Sequence, residues 1–158
     1  MKNMQKLQNS ITQWRGKDII TNSKELFREG NLQVLSKDLK KYQDRYVFLL
    51  DGMIIICKQQ EQSQTKNGTC MEYKFHKKFL ISWVSVIDTV ENDEDDVLFA
   101  IDNKETKVTF KTESPDEKRS WMAVLVMLTT KSLLDRTLDI YNTNEEKKHP
   151  LRFPSSDV

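Results

Sequence analysis

Cations collect around one short stretch of the chain, residues 36–58, and their spacing suits the binding of an anion. A polar segment rich in lysine runs directly into an apolar segment that Arg45 and Lys58 flank. The lysines of the polar segment are Lys37, Lys40 and Lys41. Phosphate groups accept charge-assisted hydrogen bonds from side chains of these types. The residues therefore predict a site for a phosphate-bearing ligand, provided that the fold brings the cations together.

The apolar segment predicts a β-hairpin that would do so. The runs "RYVFLL" and "MIIICK" flank Asp51-Gly52, a dipeptide typical of two-residue hairpin turns. With that turn, Arg45 lies directly opposite Lys58, an arrangement that destabilises a strand pair unless water or an anion separates the charges. The alternative to an anion site is that these lysines are only solvated, or that they pair with Asp38 and Asp44. Charge and register alone leave both interpretations open.

Charge is distributed unevenly along the chain, although the net charge of its 158 residues is only +1. Residues 36–78 contain nine Lys or Arg and five Asp or Glu, whereas residues 88–105 contain eight acids and one Lys. A molecule with this asymmetry can orient itself near a charged surface. We expect the basic region to face an anionic surface and the acidic run "ENDEDD" to face away from it as a solvated loop.

The chain offers little for catalysis, metal binding or nucleic-acid recognition. Its two histidines, two cysteines and four glycines form neither a Cys-His ligand cluster nor a glycine-rich phosphate loop. The acidic run lacks the glycine and the terminal glutamate of a calcium loop. A basic helix is absent, and the sequence pI is near 7.7. We expect a non-enzyme without cofactor or metal, in which Cys57 is a buried free thiol in a reducing setting.

Strands dominate the middle of the chain, from residue 25 to 111. "ELFREGNLQVLS" predicts a first strand with Gly30 as a bulge, and the hairpin above follows it. The segments "MEYKFHKKFLI" and "WVSVIDT" predict further strands, and "DVLFAIDNKETKVTFKT" predicts a second hairpin. Even spacing of this kind is typical of a small barrel or sandwich. In "YKFHKK", strict alternation would place Lys74, His76 and Lys78 on one face.

Helical patterns appear at both ends. Met4, Leu7, Ile11 and Trp14 share a face of a helix predicted over residues 1–15. That helix either docks on the main domain or is the cut end of a helix from an absent neighbour, and we favour the cut end. It could also cover part of the first hairpin, because both faces of that hairpin are apolar and both need cover.

The second helix follows the last strand. Ser114 can cap it, Pro115 suits its first position, and Glu117 completes a capping box. Its apolar face consists of Trp121, Val124, Leu125 and Leu128. Leu134, Leu138 and Tyr141 can extend the helix, and we interpret the polar residues 143–158 as a linker.

This order of elements resembles that of the pleckstrin homology domain. Four segments of the sequence also resemble that family: "RYVFLLDGMIIICK", "EYKFHKKF", "EKRSWMAVLVML" and "LDRTLDI". The match is to the domain as it occurs in Ras guanine nucleotide exchange factors, and "NSITQWRGKDI" resembles the junction with their preceding Dbl homology domain. The resemblance implies a mostly β fold, a seven-stranded bent barrel capped by a C-terminal helix that carries Trp121, with an N-terminal helical tail. It implies a tail and junction over 1–23, the domain over 24–142 and a linker over 143–158.

The resemblance also implies a non-catalytic module that binds phosphoinositide headgroups of the phosphatidylinositol bisphosphate type. Arg45 matches the family's strand arginine, and Gln43 departs from its basic position. The implied headgroup-binding residues are Lys37, Lys40, Lys41, Arg45, Lys58 and Lys74. The implied partners are anionic phospholipids, the Dbl homology domain of the same protein and, through the whole protein, a Ras family GTPase.

The resemblance further implies a monomer in the cytoplasm that is recruited peripherally to the plasma membrane. The alternative is an intramolecular autoinhibitory or protein-interaction domain with little lipid binding. In that case Leu7, Ile11 and Trp14 would anchor the interface.

Overall fold

A computed structural model describes residues 4–14, 23–36, 41–61, 71–89 and 94–148. Within these residues the chain forms two α-helices, eight β-strands and one short 3-10 helix at Ile81–Trp83. The helices are α1 (Met4–Asn9) and α2 (Pro115–Lys148). The strands are β1 (Ile11–Thr12), β2 (Leu26–Leu35), β3 (Tyr42–Leu50), β4 (Met53–Glu61), β5 (Met71–Leu80), β6 (Ser85–Asp88), β7 (Leu98–Asp102) and β8 (Lys107–Lys111).

The strands form one sheet in the order β1-β5-β4-β3-β2-β8-β7-β6. Every neighbouring pair is antiparallel except β1 with β5, which is parallel. Strand β2 pairs with β3 along its length, but it pairs with β8 only near its end. Strands β6 to β8 therefore join the rest of the sheet at that end of β2, and the sheet bends there. The seven strands predicted from the sequence are β2 to β8, and the mostly β fold with a C-terminal helix is confirmed.

The register of the β3–β4 hairpin is confirmed. Tyr46 pairs with Cys57 and Leu49 with Ile54, as a two-residue turn at 51–52 requires. The Asp51 carboxylate fixes this turn by accepting hydrogen bonds from the backbone N–H groups of Lys24 (2.8 Å) and Glu25 (3.2 Å).

Both faces of the hairpin are buried, each in its own apolar cluster, as predicted. The inner cluster, which α2 covers, consists of Leu32, Val47, Leu49, Ile54, Ile56, Phe79, Ile81, Val84, Phe99, Ile101, Val108, Phe110, Trp121, Leu125 and Leu128. The outer cluster consists of Leu7, Ile11, Phe48, Leu50, Met53, Ile55 and Cys57. Burial of this much apolar surface on both sides makes the hairpin the centre of the fold.

The N-terminal segment differs from the helix predicted over residues 1–15. The helix ends at Asn9, where the Ser10 hydroxyl donates a 2.6 Å hydrogen bond to the Leu7 carbonyl and the chain turns into β1. Ile11 and Thr12 then pair with Tyr73 and Lys74 of β5. The segment therefore docks on the domain, contrary to the cut end that we favoured, because the outer cluster offers its apolar side chains a dry surface.

Gly30 is not a bulge. It pairs in register with Val47, and the irregularity in β2 lies between Leu26 and Arg28. A Cβ atom on Gly30 would lie 3.6 Å from the Trp121 ring. This distance is an ordinary van der Waals contact, so the indole of α2 lies close to the strand at this position.

The start of α2 agrees with the sequence. The Ser114 hydroxyl accepts a 3.2 Å hydrogen bond from the backbone N–H of Glu117, as an N-cap requires. Trp121, Leu125 and Leu128 are buried. The helix continues past Thr143 to Lys148, so the first part of the segment interpreted as a linker is helical. Within the described ranges, neither helix has the length and apolar character needed to cross a bilayer.

Two carboxylates of the acidic region form ion pairs with a buried lysine, although both are exposed. Lys118 on α2 is buried, and its Nζ lies 2.8 Å from an Asp88 oxygen and 2.6 Å from an Asp96 oxygen. Asp96 is exposed, as expected of a solvated loop, but it also forms an ion pair that the sequence did not predict, because a buried ammonium group requires anionic partners. Glu91, Asn92 and Asp93 lie outside the described residues.

Candidate functional site

An open groove of about 870 Å³ lies at the end of the sheet where β2 passes into β3 and β7 turns into β8. Its walls come from β2, β3, β4, β5 and β8, so residues far apart in the chain meet there. The ionisable residues that line it are Lys41, Arg45, His76, Lys77, Glu105 and Lys107. Ser36, Gln43, Thr106 and Thr109 add polar side chains. Val34, Leu35, Ile56 and Val108 also line the groove, and its suitability for an anion comes from the excess of cations among its charged residues.

Arg45 lies on the inner face of β3, opposite Leu32 of β2, and is partly buried. Its guanidinium donates hydrogen bonds to the Asp44 carbonyl (2.8 Å) and to Oε1 of Gln43 (2.9 Å). Both acceptors are neutral, so the arginine is held in place and its charge is not cancelled by them. The departure from the family pattern at Gln43 thus has a structural consequence, since this side chain orients Arg45.

Lys41 is exposed and lies immediately before β3. The two ends of the preceding loop are tied together, because the Ser36 N–H donates a 2.8 Å hydrogen bond to the Lys41 carbonyl. The Ser36 hydroxyl also accepts a 3.4 Å hydrogen bond from the Lys41 N–H. Lys37 and Lys40, which we predicted as site residues, lie between these ends and outside the described residues.

Lys58 and Lys74 extend the cationic surface beyond the groove. They pair directly across β4 and β5. The β3–β4 pairing runs from Leu49 with Ile54 to Tyr46 with Cys57, so the predicted pair of Arg45 with Lys58 lies one position beyond its end. Lys58 and Lys74 therefore lie side by side on adjacent strands, and Arg45 is the one of these three cations that lines the groove.

A bulge in β5 changes which residues face the groove. Lys77 pairs with Ile56 while Phe75 pairs with Cys57, so His76 is an additional residue between two ladder positions. Phe75 consequently packs with the outer cluster and Phe79 belongs to the inner cluster, although they are four residues apart.

The predicted shared face of Lys74, His76 and Lys78 is therefore wrong. Lys78 lies over the Trp14 ring, 5.1 Å from its centroid, and Lys77 lines the groove instead. A bulge leaves no reliable mark in an alternating sequence, which is why the contribution of Lys77 was missed.

The β7–β8 turn supplies the opposite wall. The Asn103 side-chain oxygen accepts hydrogen bonds from the backbone N–H groups of Glu105 (3.1 Å) and Thr106 (2.9 Å). This fixed turn places Glu105 and Lys107 at the groove. The sequence predicted the hairpin but not its proximity to the basic loop, since β8 reaches β2 only through the bend of the sheet.

The sequence profile of the SOS1/NGEF-like PH domain matches residues 20–128, more than half of the chain. The chain belongs to the pleckstrin homology domain family. It is 32% identical to Protein son of sevenless of Drosophila melanogaster over 155 residues, which is 96% of this chain and 10% of that protein. It is 31% identical to the Son of sevenless homolog of Caenorhabditis elegans, over 99% of this chain and 11% of that protein. The chain thus spans about a tenth of the length of these relatives.

Solved structures agree with the pleckstrin homology fold. The activated truncation of Vav1 superposes with a TM-score of 0.63 at 19% identity, covering 80% of this chain and 31% of that one. The Slm1 PH domain in complex with inositol-4-phosphate superposes with a TM-score of 0.50 at 22% identity, covering 66% of this chain and 95% of that one. The pleckstrin homology domain is a non-catalytic module, so the absence of a catalytic constellation from the sequence has a simple explanation.

Away from the groove, the buried thiol of Cys57 and the partly buried phenol of Tyr46 have raised pKa values. Burial raises the pKa of the Cys57 thiol to about 12. Burial, together with a 2.8 Å hydrogen bond to Glu29, raises the pKa of Tyr46 well above its usual value. Both groups therefore remain neutral at physiological pH, and Cys57 is the buried free thiol that the sequence predicted.

Proposed function

We propose that this domain is a phosphoinositide-binding module that anchors and regulates a Ras/Rho-type guanine nucleotide exchange factor at the membrane. The observation that carries the proposal is the groove of Arg45, where two neutral groups hold a guanidinium in place. An orientated cation at a concave site suits a headgroup phosphate, which accepts two parallel hydrogen bonds from arginine. The proposed ligand is a headgroup of the phosphatidylinositol bisphosphate type.

The charge of the groove supports this ligand. Among its described lining residues are four permanent cations and one carboxylate. The pair of Lys58 and Lys74 continues the positive surface toward β5. Each cation near an anionic leaflet contributes about 1 kcal/mol of attraction, so several together hold a small domain reversibly. We propose Lys37, Lys40, Lys41, Arg45, Lys58 and Lys74 as the headgroup-binding residues, with Lys77 and Lys107 added from the walls of the groove.

The wider role follows from the family and remains part of the proposal. The relatives carry this domain within much longer proteins, and the chain covers 10% of the Drosophila protein. We propose that residues 1–23 lead from a Dbl homology domain, that residues 24–142 are the membrane-binding unit, and that residues 143–158 lead onward. The domain would act as a monomer in the cytoplasm, recruited to the plasma membrane, and would hold the exchange domains near a Ras family GTPase.

Vesicle co-sedimentation tests the proposal. Wild type should pellet with vesicles that contain phosphatidylinositol bisphosphate and remain in the supernatant with phosphatidylcholine alone. The variant Arg45→Ala, Lys58→Ala should lose most of this binding. The matched control is Lys24→Ala, Lys131→Ala, which removes two charges from exposed positions that do not line the groove. Equal losses for both variants, or no binding by wild type, would contradict the proposed site.

A second candidate function, an intramolecular or protein-interaction domain, has one observation in its favour. The later turns of α2 expose large apolar side chains, among them Leu134, Leu138 and Ile140, the last with 64% of its surface accessible. The anchors that we first assigned to such an interface do not serve it, because Leu7 and Ile11 are buried in the outer cluster. Binding that requires a protein partner and survives high salt would favour this candidate, since apolar contacts are not screened.

A further inference from the structure

His76 occupies the bulged position of β5 at the edge of the groove. Its neighbours Phe75 and Lys77 pair with Cys57 and Ile56, so His76 itself stands between ladder positions. The side chain is exposed and lines the groove. Bulges commonly redirect a side chain toward a binding site, and this bulge places an imidazole among cations.

Charged groups face this imidazole from each wall of the groove. Lys41 lies immediately before β3, Arg45 lies on β3, Lys77 is the next residue on β5, and Glu105 and Lys107 come from the β7–β8 turn. Lys58 of β4 and Lys74 of β5 pair with each other and do not line the groove. Lysine and arginine keep their charge throughout the physiological range, and an ordinary glutamate does too. Histidine is the side chain type whose charge changes between pH 5 and 8.

We propose that His76 is a proton-dependent ligand of the phosphate-bearing headgroup, so that protonation of its imidazole strengthens binding in the groove. The inference rests on the proposed function and extends it from a constant anchor to one that responds to pH. A protonated imidazole adds one positive charge and one hydrogen-bond donor where an anion would bind. A cation near an anionic surface contributes about 1 kcal/mol, which corresponds to a gain in affinity of about fivefold.

The phosphate of the ligand also gains a proton as the pH falls, and this weakens binding, whereas protonation of His76 strengthens it. A phosphate monoester has a second pKa near 6, so its negative charge falls as the solution becomes more acidic. The pH profile of the wild type alone therefore mixes two effects. The ratio of wild-type affinity to that of a variant with an uncharged side chain at position 76 cancels the contribution of the lipid.

The experiment measures binding to vesicles with phosphatidylinositol bisphosphate, at about pH 5.8 and about pH 7.8 on either side of the histidine range. We expect wild type to bind about fivefold more tightly than His76→Gln at the lower pH and equally at the higher pH. His76→Lys should exceed His76→Gln by about the same factor at both values. Thermal melts confirm that each variant is folded, and the matched control His149→Gln removes the other histidine of the chain.

The outcomes separate this inference from the proposed function. If wild type and His76→Gln keep the same ratio at both pH values while both bind, the role of His76 is wrong and the anion groove stands. If His149→Gln reproduces the effect, the proton acts elsewhere and the inference is again wrong. If wild type binds at neither pH, the proposed function fails and the inference fails with it.

Discussion

Lys118 and Arg45 are both cations that lie partly or wholly out of water, and the protein holds them in opposite ways. Lys118 lies under the acidic region, with its Nζ within 2.8 Å of an Asp88 oxygen and 2.6 Å of an Asp96 oxygen. Arg45 lies at the groove, with hydrogen bonds to a backbone carbonyl and to the amide of Gln43. The first cation has anionic partners, and the second has neutral ones.

The difference in partners indicates which cation has a structural role and which is available to a ligand. A cation between two carboxylates is electrically satisfied, so it fixes the first turns of α2 against the β6 end of the sheet and offers little to a ligand. A cation held by neutral acceptors is fixed in position but still attracts an anion. The nature of the acceptor, and not the type of cation, therefore indicates which basic residue belongs to a binding site.

The largest effect is expected when the carboxylates that hold Lys118 are removed. The variant Asp88→Ala, Asp96→Ala should lower the free energy of unfolding by about 2 kcal/mol, because it leaves a buried ammonium without these anions. Chemical denaturation measures the change. Adding Lys118→Met should recover most of the loss, since no buried charge then remains. Failure of that recovery would mean that Lys118 is not what the two carboxylates stabilise.

The comparison can also be reversed by giving Arg45 an anionic partner. Gln43→Glu places a carboxylate where the amide oxygen now accepts from the guanidinium at 2.9 Å. We expect vesicle binding to weaken by about fivefold to tenfold, with stability nearly unchanged because an ion pair that water still reaches contributes little. The matched control is Gln59→Glu, an exposed position of β4 that does not line the groove. Equal weakening by both variants would show that only net charge matters.

Removal of the carboxylate among the groove residues should act in the other direction. Glu105→Gln should strengthen binding by about threefold to fivefold, because one repulsion of the headgroup is lost. The turn should persist, since Asn103 accepts from the backbone N–H of residue 105 and not from its side chain. Titration with vesicles measures the gain, and Glu113→Gln, at an exposed position away from the groove, is the control. Unchanged binding would place the headgroup away from the β7–β8 wall.

The smallest expected effect is that of salt on the stability contributed by the Lys118 ion pairs, which contrasts with its effect on binding at the groove. An increase from about 50 to about 500 mM shortens the screening length from over 10 Å to under 5 Å, so binding at the exposed groove should fall more than tenfold. The destabilisation caused by Asp88→Ala, Asp96→Ala should change by less than about 0.5 kcal/mol, because the side chain of Lys118 is only 3% exposed. Denaturation at both salt concentrations checks this. A large salt dependence there would remove the distinction between the two cations.

Local patterns predicted much of the fold. The Asp51-Gly52 turn set the register of β3 with β4, and the alternation of apolar residues predicted both buried faces. Ser114 predicted the start of α2. These features depend on neighbours in the chain, or on a period that each strand or helix carries within itself, and such information is present in the sequence.

The candidate site was only partly predictable for the same reason. The position of Arg45 follows from the hairpin register, and Lys41 lies close to it in the chain. Lys77 reaches the groove because of a bulge, and Lys107 because β8 pairs with the end of β2. A bulge and a long-range strand pairing reflect how well the whole sheet packs, and no short segment encodes that balance.

The sequence by itself determined that this chain folds as a mostly β domain with a capped C-terminal helix. It also determined that the hairpin has two apolar faces and that a basic segment leads into it. Only the tertiary structure decided which cations share a groove, which one is bound by carboxylates, and that the N-terminal segment adds a strand to β5. The physical reason is that a charge or an apolar face becomes functional or structural according to what lies opposite it. In this fold the opposing group comes from a distant part of the chain.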